Sequence, residues 1–393
     1  MRGTLGIYSD DIFRVRDDGV RAVISTDQAF LLFAARVGAG FEGVVFFGRT
    51  VRGGPVAEIV LPGRPGLVEL PHYESLRRTR AVLRAAVGTV AGMWRGLSRV
   101  DVVWVLGPNP FGIVLIVLAL MRRKRVALGV RQDTVAYFRS RLSSRRWTPA
   151  LGLAQAMDGL YRLLARRLPT TVVGEQLAHG YGADRPSVLP MTVTLVHSAD
   201  VAPAPPSKDW SGPIELLTVG RIDVEKNPLL LVDAFAQLRD QERGDYRLRW
   251  VGRGPLESAV RRRALELGVA DDLELAGFVP FGPSLLDLYR QAHVFVHVAL
   301  TEGVPQVLIE ALACGTPIVG TDVGGVRAAL GDGRAGLLVP PGDCHALVGA
   351  VRRLRDDASL RDRVVSHGLR LARETTIEHE ADRVARFIAD ARS

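Results

Sequence analysis

Short apolar runs alternate along this chain with longer segments of helical periodicity. Runs rich in Val, Ile and Leu that end at turn residues are typical of parallel strands buried on both faces. We predict such strands at residues 5–8, 43–47, 100–106, 125–130, 170–173, 214–219, 247–251, 273–276, 294–298 and 317–320. In the first half, helices are predicted at residues 26–37, 73–97, 111–122 and 151–168. This alternation predicts an α/β architecture.

A Pro-rich segment at residues 198–213 interrupts the alternation and has the composition of a linker. A chain of 393 residues also exceeds what one hydrophobic core usually supports. We therefore predict two doubly wound domains, residues 1–197 and 214–375, facing a deep cleft at the carboxyl ends of their strands. Residues 376–393 are predicted to form an amphipathic helix that returns to the first domain.

The composition, 47% hydrophobic and 24% charged residues, is that of a globular protein. Two cysteines, Cys314 and Cys344, exclude a disulfide framework. The first residues lack the apolar core of a signal peptide. The longest apolar run, residues 111–121, is shorter than the roughly 20 residues that span a bilayer. A cytoplasmic location is expected.

The charge is uneven along the chain. Residues 1–200 hold 27 Lys and Arg against 15 Asp and Glu, and the remainder holds 24 against 27. The densest basic clusters lie at residues 77–80, 122–125 and 139–146. Such a field favours contact with an anionic membrane at its inner face or with a phosphorylated acceptor, although solvated Arg-rich faces would look the same. Nucleic acid is not expected, since no RNA-recognition motif, zinc finger or aromatic interleaving accompanies the clusters.

Two glutamates stand eight positions apart, Glu302 in a Gly/Pro-rich loop and Glu310 in the apolar run that follows. The run predicts a short helix that ends at Gly315 and Pro317, with Glu310 in its first turn. The start of a helix offers unpaired N–H groups and a positive dipole end, where phosphate commonly binds. Two carboxylates beside that anion site suit the hydroxyls of a nucleotide sugar. Alone, the pair fits a capped surface helix equally well.

Residues 214–340 resemble the group 1, family 4 retaining glycosyltransferases, which have the GT-B fold. The spacing of Glu302 and Glu310, the run 311–317 and the pair Gly324-Gly325 carry this resemblance. In that family the second glutamate holds the ribose of the donor and the first contacts the donor sugar. The backbone between them contacts the sugar and the diphosphate. The resemblance implies these roles for Glu310, Glu302 and the backbone of Gly303, Val304, Pro305, Val307 and Leu308.

The strand at residues 214–219 leads into a loop with two cations. Gly220 permits a tight turn there, and Arg221 and Lys226 follow on the loop. An arginine fork and a lysine point charge together suit a leaving diphosphate, and the resemblance implies that role. Without the glutamate pair, Arg221 and Lys226 would be interpreted as two solvated cations on a loop.

Two further turns in this half are similar to donor-binding turns of the family. Gly252 and Gly254 follow a strand, and the resemblance places them near the nucleotide, although tight strand-to-helix packing explains them equally well. Phe278 and Val279 resemble the turn that reads the nucleobase through its backbone. Phe278 either stacks on the base or packs inward.

The first half resembles the family only loosely. Members often carry a Gly-rich loop after the first strand, where this chain has residues 17–21 with the single glycine Gly19. Where members have His-Asp after a later strand, this chain has Arg131, Gln132 and Asp133. Gln132 can hydrogen-bond a sugar but cannot titrate. Asp133 is the candidate for orienting the donor sugar or the acceptor hydroxyl, or else it caps a helix.

No Asp-x-Asp motif occurs in the chain, so no metal is expected, and no cofactor other than the donor itself. The resemblance implies a retaining glycosyltransferase that moves a sugar from a nucleoside-diphosphate-sugar to an acceptor hydroxyl. The basic first domain favours a lipid-linked glycan, polysaccharide or glycolipid as acceptor, and a small molecule stays open. No nucleophile is evident, so the sequence does not support a double displacement. The resemblance implies attack on the same face, aided by the leaving phosphate.

Two alternatives remain. A nucleotide-sugar epimerase of GT-B fold would share the donor site, but it would need a carboxylate-rich site in the first domain, which the sequence does not suggest. A nucleotide-sugar-binding protein without catalysis would explain the missing histidine at Gln132.

Overall fold

A computed structural model describes residues 1–17, 22–26, 28–53, 59–63, 65–73, 79–135, 148–241 and 246–390 of the chain. It divides into two compact units. Unit 1 comprises Met1–Val193 and Glu378–Ser393, and unit 2 comprises Thr194–Ile377.

Unit 1 is built on a twisted sheet with helices. Its described strands are β1 (Thr4–Asp17), β2 (Ala22–Thr26), β3 (Gly43–Arg52), β4 (Ile59–Val60), β5 (Gly66–Leu70), β6 (Val102–Gly107), β7 (Arg125–Val130), β8 (Thr170–Val173) and β9 (Val188–Met191). Its described helices before unit 2 are α1 (Phe30–Gly38), α2 (Thr79–Gly96), α3 (Pro110–Met121), α4 (Thr148–Leu164) and α5 (Glu175–Tyr181). Parallel pairing runs in the order β5-β3-β1-β6-β7-β8-β9, and β2 and β4 extend it with antiparallel pairs from β1. The parallel order changes direction between β1 and β6, which is the switch point of this sheet.

Unit 2 has a wholly parallel sheet. Its strands are β10 (Ile214–Val219), β11 (Tyr246–Val251), β12 (Leu273–Gly277), β13 (Val294–His297), β14 (Ile318–Thr321) and β15 (Leu337–Val339). Its helices are α6 (Pro228–Gln241), α7 (Glu257–Glu266), α8 (Pro283–Gln291), α9 (Gln306–Ala313), α10 (Val326–Ala329), α11 (Cys344–Asp356) and α12 (Ala358–Glu374). The order β12-β11-β10-β13-β14-β15 places its switch point between β10 and β13.

The central strands of unit 2, β10, β13 and β14, are largely buried on both faces. Successive side chains of β10 enter two different hydrophobic clusters: Leu216 packs with Leu248 of β11 on one face, and Leu217 packs with Phe295 of β13 on the other. Successive side chains of a strand point to opposite faces, so a strand covered on both sides must be apolar throughout. This explains why short apolar runs marked these strands in the sequence.

The last described helix, α13 (Ile377–Ala389), leaves unit 2 and packs within unit 1. The Arg125 guanidinium donates to the carbonyl of Ala389 at 2.8 Å, and the buried carboxylate of Glu380 accepts from the amide of Thr192 at 3.0 Å. The helix predicted at the end of the chain is therefore a part of unit 1.

The Pro-rich segment at residues 198–213 belongs to unit 2. The amide of Ala202 donates to Ala313 at 2.8 Å, and the Lys208 ammonium donates to the carbonyl of Ala292. The Trp210 ring lies under the Arg361 guanidinium, 4.0 Å from its carbon. The segment thus packs on its own unit, and the division of acceptor and donor roles between the units stays a prediction.

Every strand predicted from the sequence forms, and the short β2, β4, β5, β9 and β15 escaped prediction. The four helices predicted in the first half are α1 to α4, and the ends that lie within described residues are displaced by up to four residues. Within the described residues, no helix combines the length and apolar character that crossing a bilayer requires.

Candidate functional site

The loops that follow β10 and β13 leave adjacent strands at the switch point of unit 2. Parallel open sheets bind ligands there, at the carboxyl ends of the strands. The loop after β10 contains Arg221 and the 3₁₀ turn Val224–Lys226, and the loop after β13 contains Glu302. The amide of Leu300 donates to the carbonyl of Glu225 at 2.8 Å and joins the two loops.

Lys226 and Glu302 form an ion pair between these loops. The ammonium of Lys226 donates to Oε2 of Glu302, and both side chains are largely buried. Asp223 caps the turn by accepting from the Lys226 amide at 3.3 Å. Asn227 then takes a left-handed conformation with φ of 47°, and the chain turns into α6. Two residues that the sequence analysis selected for different roles therefore meet in one contact.

His297, the last residue of β13, lies beneath this pair. Its Nε2 is 3.3 Å from Oε2 of Glu302, and only 2% of its side chain is exposed. Its ring stacks on Phe295, with 6.4 Å between the ring centroids. The sequence analysis did not select this histidine. The available signal was its position at the end of a predicted strand, five residues before Glu302.

Burial and the two basic neighbours act in opposite directions on Glu302. Burial raises the pKa of its carboxyl, but the stronger combined effect of His297 and Lys226 lowers that pKa to about 2. The pKa of His297 is lowered by burial and by the Lys226 charge, against the opposing effect of Glu302. At neutral pH the site therefore holds an ionised Glu302 beside a neutral imidazole.

Glu310 lies in α9 but not in its first turn, so that prediction is wrong. Pro305 is the N-cap and Gln306 begins the helix, which makes Glu310 the fifth residue. Its Oε2 accepts a hydrogen bond of 2.7 Å from the hydroxyl of Tyr289, which is itself fully buried. Burial raises the pKa of Glu310 to about 7, and the Tyr289 hydrogen bond only partly offsets this. Tyr289 is a second residue of this site that the sequence analysis missed.

The start of α9 lies directly after the Glu302 loop. No side chain caps it, because the N-cap position is occupied by Pro305. The backbone of Gly303, Val304, Val307 and Leu308 forms this entry, as the sequence indicated, and the amide of Leu308 bonds back to Pro305 at 3.1 Å. An uncapped helix start suits an anion.

Gly324 and Gly325 support the Glu302 loop from β14. A Cβ on Gly324 would lie 1.8 Å from the carbonyl oxygen of Glu302, and a Cβ on Gly325 would lie 1.9 Å from that of Gly303. Real side chains never approach a backbone so closely, so only glycine allows this packing. The two glycines therefore fix the backbone that presents Glu302.

Gly252 and Gly254 pack on the cation loop in the same way. A Cβ on Gly252 would lie 2.0 Å from the carbonyl oxygen of Gly220, and a Cβ on Gly254 would lie 2.3 Å from that of Ile222. The indole of Trp250 donates to Gly220 at 3.0 Å. Close backbone packing explains both glycines, and their predicted contact with nucleotide stays a prediction.

Arg221 and Phe278 are the exposed members of the predicted donor set. Arg221 is 61% exposed, and its guanidinium lies 3.0 Å from Asp223 and 3.5 Å from Glu225, not beside Glu302. Phe278 is 54% exposed at the end of β12, whereas Val279 packs partly into the core. Phe278 therefore does not pack inward, which leaves its ring free for a ligand.

The switch point of unit 1 holds carboxylates that the sequence analysis missed. The pairing of β1 with β6 ends at Tyr8, and β1 then bulges before Ile12. Asp10, in this bulge, lies 3.3 Å from the Nε of Arg49 and accepts from the hydroxyl of Tyr73. Burial raises the pKa of Asp10 despite the opposing Arg49 charge. Asp11 accepts from Arg131 at 2.9 Å.

Of the loop predicted at residues 17–21, the structure describes only Asp17, the last residue of β1. The strand β1 continues past the edge to Asp17 and pairs with the antiparallel β2, so the edge residues are Asp10 and Asp11. Gly19 lies outside the described residues. Arg131 pairs with Asp11, while Gln132 and Asp133 are exposed beside it, and their acceptor roles stay predictions.

Within the described part of the chain, no three His, Cys, Asp or Glu side chains converge as a metal site requires. The loop after β10 carries two basic side chains, Arg221 and Lys226.

Comparison with known protein families gives a match to the part of the chain that contains the loops after β10 and β13. Residues 205–370 match the family model of group 1 glycosyl transferases. The match contains Arg221, Lys226, Glu302 and Glu310.

Two curated relatives have names that agree with this family. A D-inositol 3-phosphate glycosyltransferase of Acidothermus cellulolyticus is 35% identical over 247 residues, which are 58% of this chain and 54% of the relative. D-inositol 3-phosphate glycosyltransferase 2 of Catenulispora acidiphila is 36% identical over 190 residues, 45% of this chain and 44% of the relative. The matches thus span about half the length of these relatives.

Solved structures resemble the chain over nearly its whole length. Anabaena HepE in complex with UDP-glucose superposes with a TM-score of 0.65 at 13% identity, covering 98% of both chains. Sucrose-phosphate synthase from Thermosynechococcus elongatus gives 0.62 at 18% identity, with the same coverage. At such identities the likeness concerns the fold, and the predicted α/β fold of GT-B type is confirmed.

Proposed function

We propose that this chain is a family 4 retaining glycosyltransferase that moves a sugar from a nucleoside-diphosphate-sugar to an acceptor hydroxyl without a metal. The observation that carries the proposal is the contact between Lys226 and Glu302 at the switch point of unit 2, next to the uncapped start of α9. A cation, a helix start and an ionised carboxylate at one edge match the diphosphate and the hydroxyls of such a donor.

The diphosphate is assigned to Lys226, Arg221 and the start of α9. Lys226 reaches the edge from a capped turn, and its charge opposes the charge that develops on the leaving group. Arg221 is exposed and paired with the side chains of Asp223 and Glu225 on its own loop, so a diphosphate can compete for its guanidinium.

The sugar is assigned to Glu302 and the ribose to Glu310. With its pKa lowered, Glu302 stays ionised and accepts hydrogen bonds from sugar hydroxyls while Lys226 holds it in place. The hydroxyl of Tyr289 orients Glu310 through Oε2, which leaves the other carboxylate oxygen for a ribose hydroxyl. The exposed ring of Phe278 is assigned to the base, through stacking.

The chemical step is the exchange of one anomeric bond for another. The bond from the anomeric carbon to the diphosphate oxygen breaks, the acceptor oxygen bonds to the same face of that carbon, and the acceptor proton passes to the leaving phosphate. Retention follows from attack on the face that the leaving group vacates.

Similar proteins supply the probes. HepE has been solved with UDP-glucose, and the curated relatives are named for D-inositol 3-phosphate, an acceptor that carries a phosphate. A phosphorylated acceptor agrees with the basic first half of the chain, as does a lipid-linked glycan. We therefore take UDP-glucose as donor probe and D-inositol 3-phosphate as acceptor probe.

The test is release of UDP from UDP-glucose in EDTA, with and without the acceptor probe, followed by proton NMR of the anomeric signal of the product. The proposal predicts UDP release that depends on acceptor, resists EDTA and gives an α-linked product. Release that requires a divalent metal, or a β-linked product, would contradict it. Other nucleoside-diphosphate-glucoses and a polyprenyl-phosphate-linked sugar serve as alternative substrates in the same format.

The carboxylates Asp10 and Asp11 favour nucleotide-sugar epimerisation as a second candidate, since they supply the carboxylate site that such a reaction needs in unit 1. Consumption of donor without any acceptor, together with appearance of an isomeric sugar, would support it over transfer.

A further inference from the structure

Two neighbouring helices of unit 1 expose apolar side chains in parallel stripes. On α2, Val87, Val90 and Trp94 are exposed at positions that share one side of a helix, and Val87 is 78% exposed. On α3, Val117, Leu120 and Met121 are exposed, and Met121 is 67% exposed. Isolated exposed apolar residues are ordinary, but six on two adjacent helices form a patch.

The two stripes belong to one surface. The guanidinium carbon of Arg122, directly after α3, lies 4.1 Å from the centre of the Trp94 ring on α2. The opposite sides of both helices share a hydrophobic cluster, in which Met93 of α2 packs with Leu115 and Ile116 of α3. The two-helix face, as we call Val87, Val90, Trp94, Val117, Leu120 and Met121, is therefore the solvent side of this helix pair.

Basic residues lie beside the two-helix face. Residues 75–132 contain eleven Lys and Arg but a single acidic residue, Asp101. Asp101 is occupied elsewhere, because its carboxylate accepts from the amide of Thr4 at 2.7 Å. Arg95 and Arg123 are exposed, and Arg122 and Lys124 are partly so. The sequences of α2 and α3 contain no carboxylate that could pair with them.

An apolar patch with a cationic rim and a tryptophan at its edge has the chemistry of a bilayer interface. Aromatic rings and aliphatic side chains enter the boundary between headgroups and acyl chains, while Arg and Lys contact lipid phosphates. Each basic residue near an anionic bilayer adds to the attraction, and acidic residues would weaken it. A protein partner would need a matching acidic surface, for which the chain gives no argument.

We propose that the two-helix face docks unit 1 on an anionic lipid bilayer, with Trp94, Leu120 and Met121 in the interface and Arg122, Arg123 and Lys124 on lipid phosphates. The chain lies on the bilayer and does not cross it.

The test is flotation of the purified full chain with vesicles of phosphatidylcholine containing 30% phosphatidylglycerol, and with phosphatidylcholine alone. Arg123→Gln with Lys124→Gln removes two charges, and Leu120→Ser with Met121→Ser removes two apolar anchors. All four side chains lie at the surface, so the variants are expected to fold. Matched controls on α7 of unit 2 are Arg261→Gln with Arg262→Gln, and Leu265→Ser at a residue that is 70% exposed.

Wild type should bind the anionic vesicles, not the neutral ones, and bind less at high salt. The charge variant should bind about thirtyfold more weakly, at about fivefold for each basic residue, and the apolar variant should also bind more weakly. Trp94→Phe should remove the blue shift of fluorescence that lipid induces. The α7 controls should bind like wild type.

Three results would overturn the proposal. The first is no flotation with anionic vesicles, and the second is equal flotation of the face variants and the α7 controls. The third is that wild type binds no lipid but forms a dimer, which Leu120→Ser with Met121→Ser converts to a monomer. The last would assign the face to a second copy of the chain. Binding is measured without donor or acceptor, so its failure leaves the proposed reaction untouched.

Discussion

Glu310→Gln should change how the stability of the protein depends on pH. Glu310 is 6% exposed, and its carboxyl is held by the Tyr289 hydroxyl at 2.7 Å. Burial raises its pKa to about 7 from 4.5. The glutamine side chain would keep the hydrogen bond with Tyr289 and fill nearly the same volume, but it cannot ionise. The variant therefore removes the titration and little else.

The sign follows from proton linkage. Between pH 4.5 and 7 the unfolded chain ionises Glu310 while the folded chain keeps its proton, so the stability that the neutral form contributes is lost as pH rises. A shift of 2.5 pH units corresponds to about 3 kcal/mol at 1.36 kcal/mol for each unit. The free energy of unfolding of wild type, relative to Glu310→Gln, should fall by about 3 kcal/mol between pH 4.5 and 8.5.

The assay is urea unfolding of both proteins at closely spaced pH values, with the difference in free energy plotted against pH. Tyr289→Phe supplies the control, because losing the hydrogen bond raises the pKa of Glu310 further and should move the transition to higher pH. If Glu310 also holds the ribose in its ionised form, nucleotide affinity should rise with pH through 7 in wild type and stay flat in Glu310→Gln. Parallel stability curves for the two proteins would refute the reasoning.

Two further predictions concern Glu302 and the glycine contacts. Lys226 and His297 hold the pKa of Glu302 at about 2. The ionised carboxylate therefore contributes to the free energy of unfolding above pH 4.5, and this contribution is lost as pH falls toward 2. Glu302→Gln should therefore lower the free energy of unfolding in urea by about 3 kcal/mol at pH 7 and by almost nothing near pH 2. It should also lower kcat/KM for the nucleotide sugar about tenfold to a hundredfold and leave the affinity for free nucleotide almost unchanged. An equal loss of stability at both pH values would contradict this prediction. Gly252→Ala places a Cβ 2.0 Å from a carbonyl oxygen at φ of 143° and should cost more than about 2 kcal/mol, whereas Gly303→Ala meets nothing within 4 Å and should cost under about 0.5 kcal/mol. Equal thermal unfolding midpoints for these two variants would show that the glycine packing does not support the loop.

The sequence predicted the central strands β10, β13 and β14 of unit 2 well, because strands that are largely buried on both faces are largely apolar. Leu216 and Leu217 illustrate this, since each enters a different cluster. The strands β2, β4 and β5 of unit 1 escaped prediction, because runs of two to five residues show too little periodicity to be distinguished from loops. Residues 9–11 were passed over because the polar bulge interrupts β1 without ending it.

The sequence likewise indicated some residues of the candidate site and not others. Spacing and loop composition pointed to Glu302, Glu310, Arg221 and Lys226. The contact between Lys226 and Glu302 joins residues 76 positions apart, and no local pattern encodes it. His297 lies between two valines, and Tyr289 follows Leu288 in a helix, so both look like core residues until the fold places them beside the glutamates.

The central claim is that a nucleoside diphosphate binds at the carboxyl edge of the unit 2 sheet through Lys226. The measurement that tests it most directly is the thermal stabilisation of wild type by UDP, GDP, ADP and dTDP, each in EDTA, repeated with Lys226→Met. Arg247→Met, at the start of β11 and paired with Glu215 at 3.6 Å, is the matched control. A ligand specific for the folded state adds about 2.7 kcal/mol at a hundredfold excess over its Kd. We predict that one nucleotide stabilises wild type and Arg247→Met but not Lys226→Met. Stabilisation of all three proteins alike, or of none by any nucleotide, would contradict the assignment of the donor site.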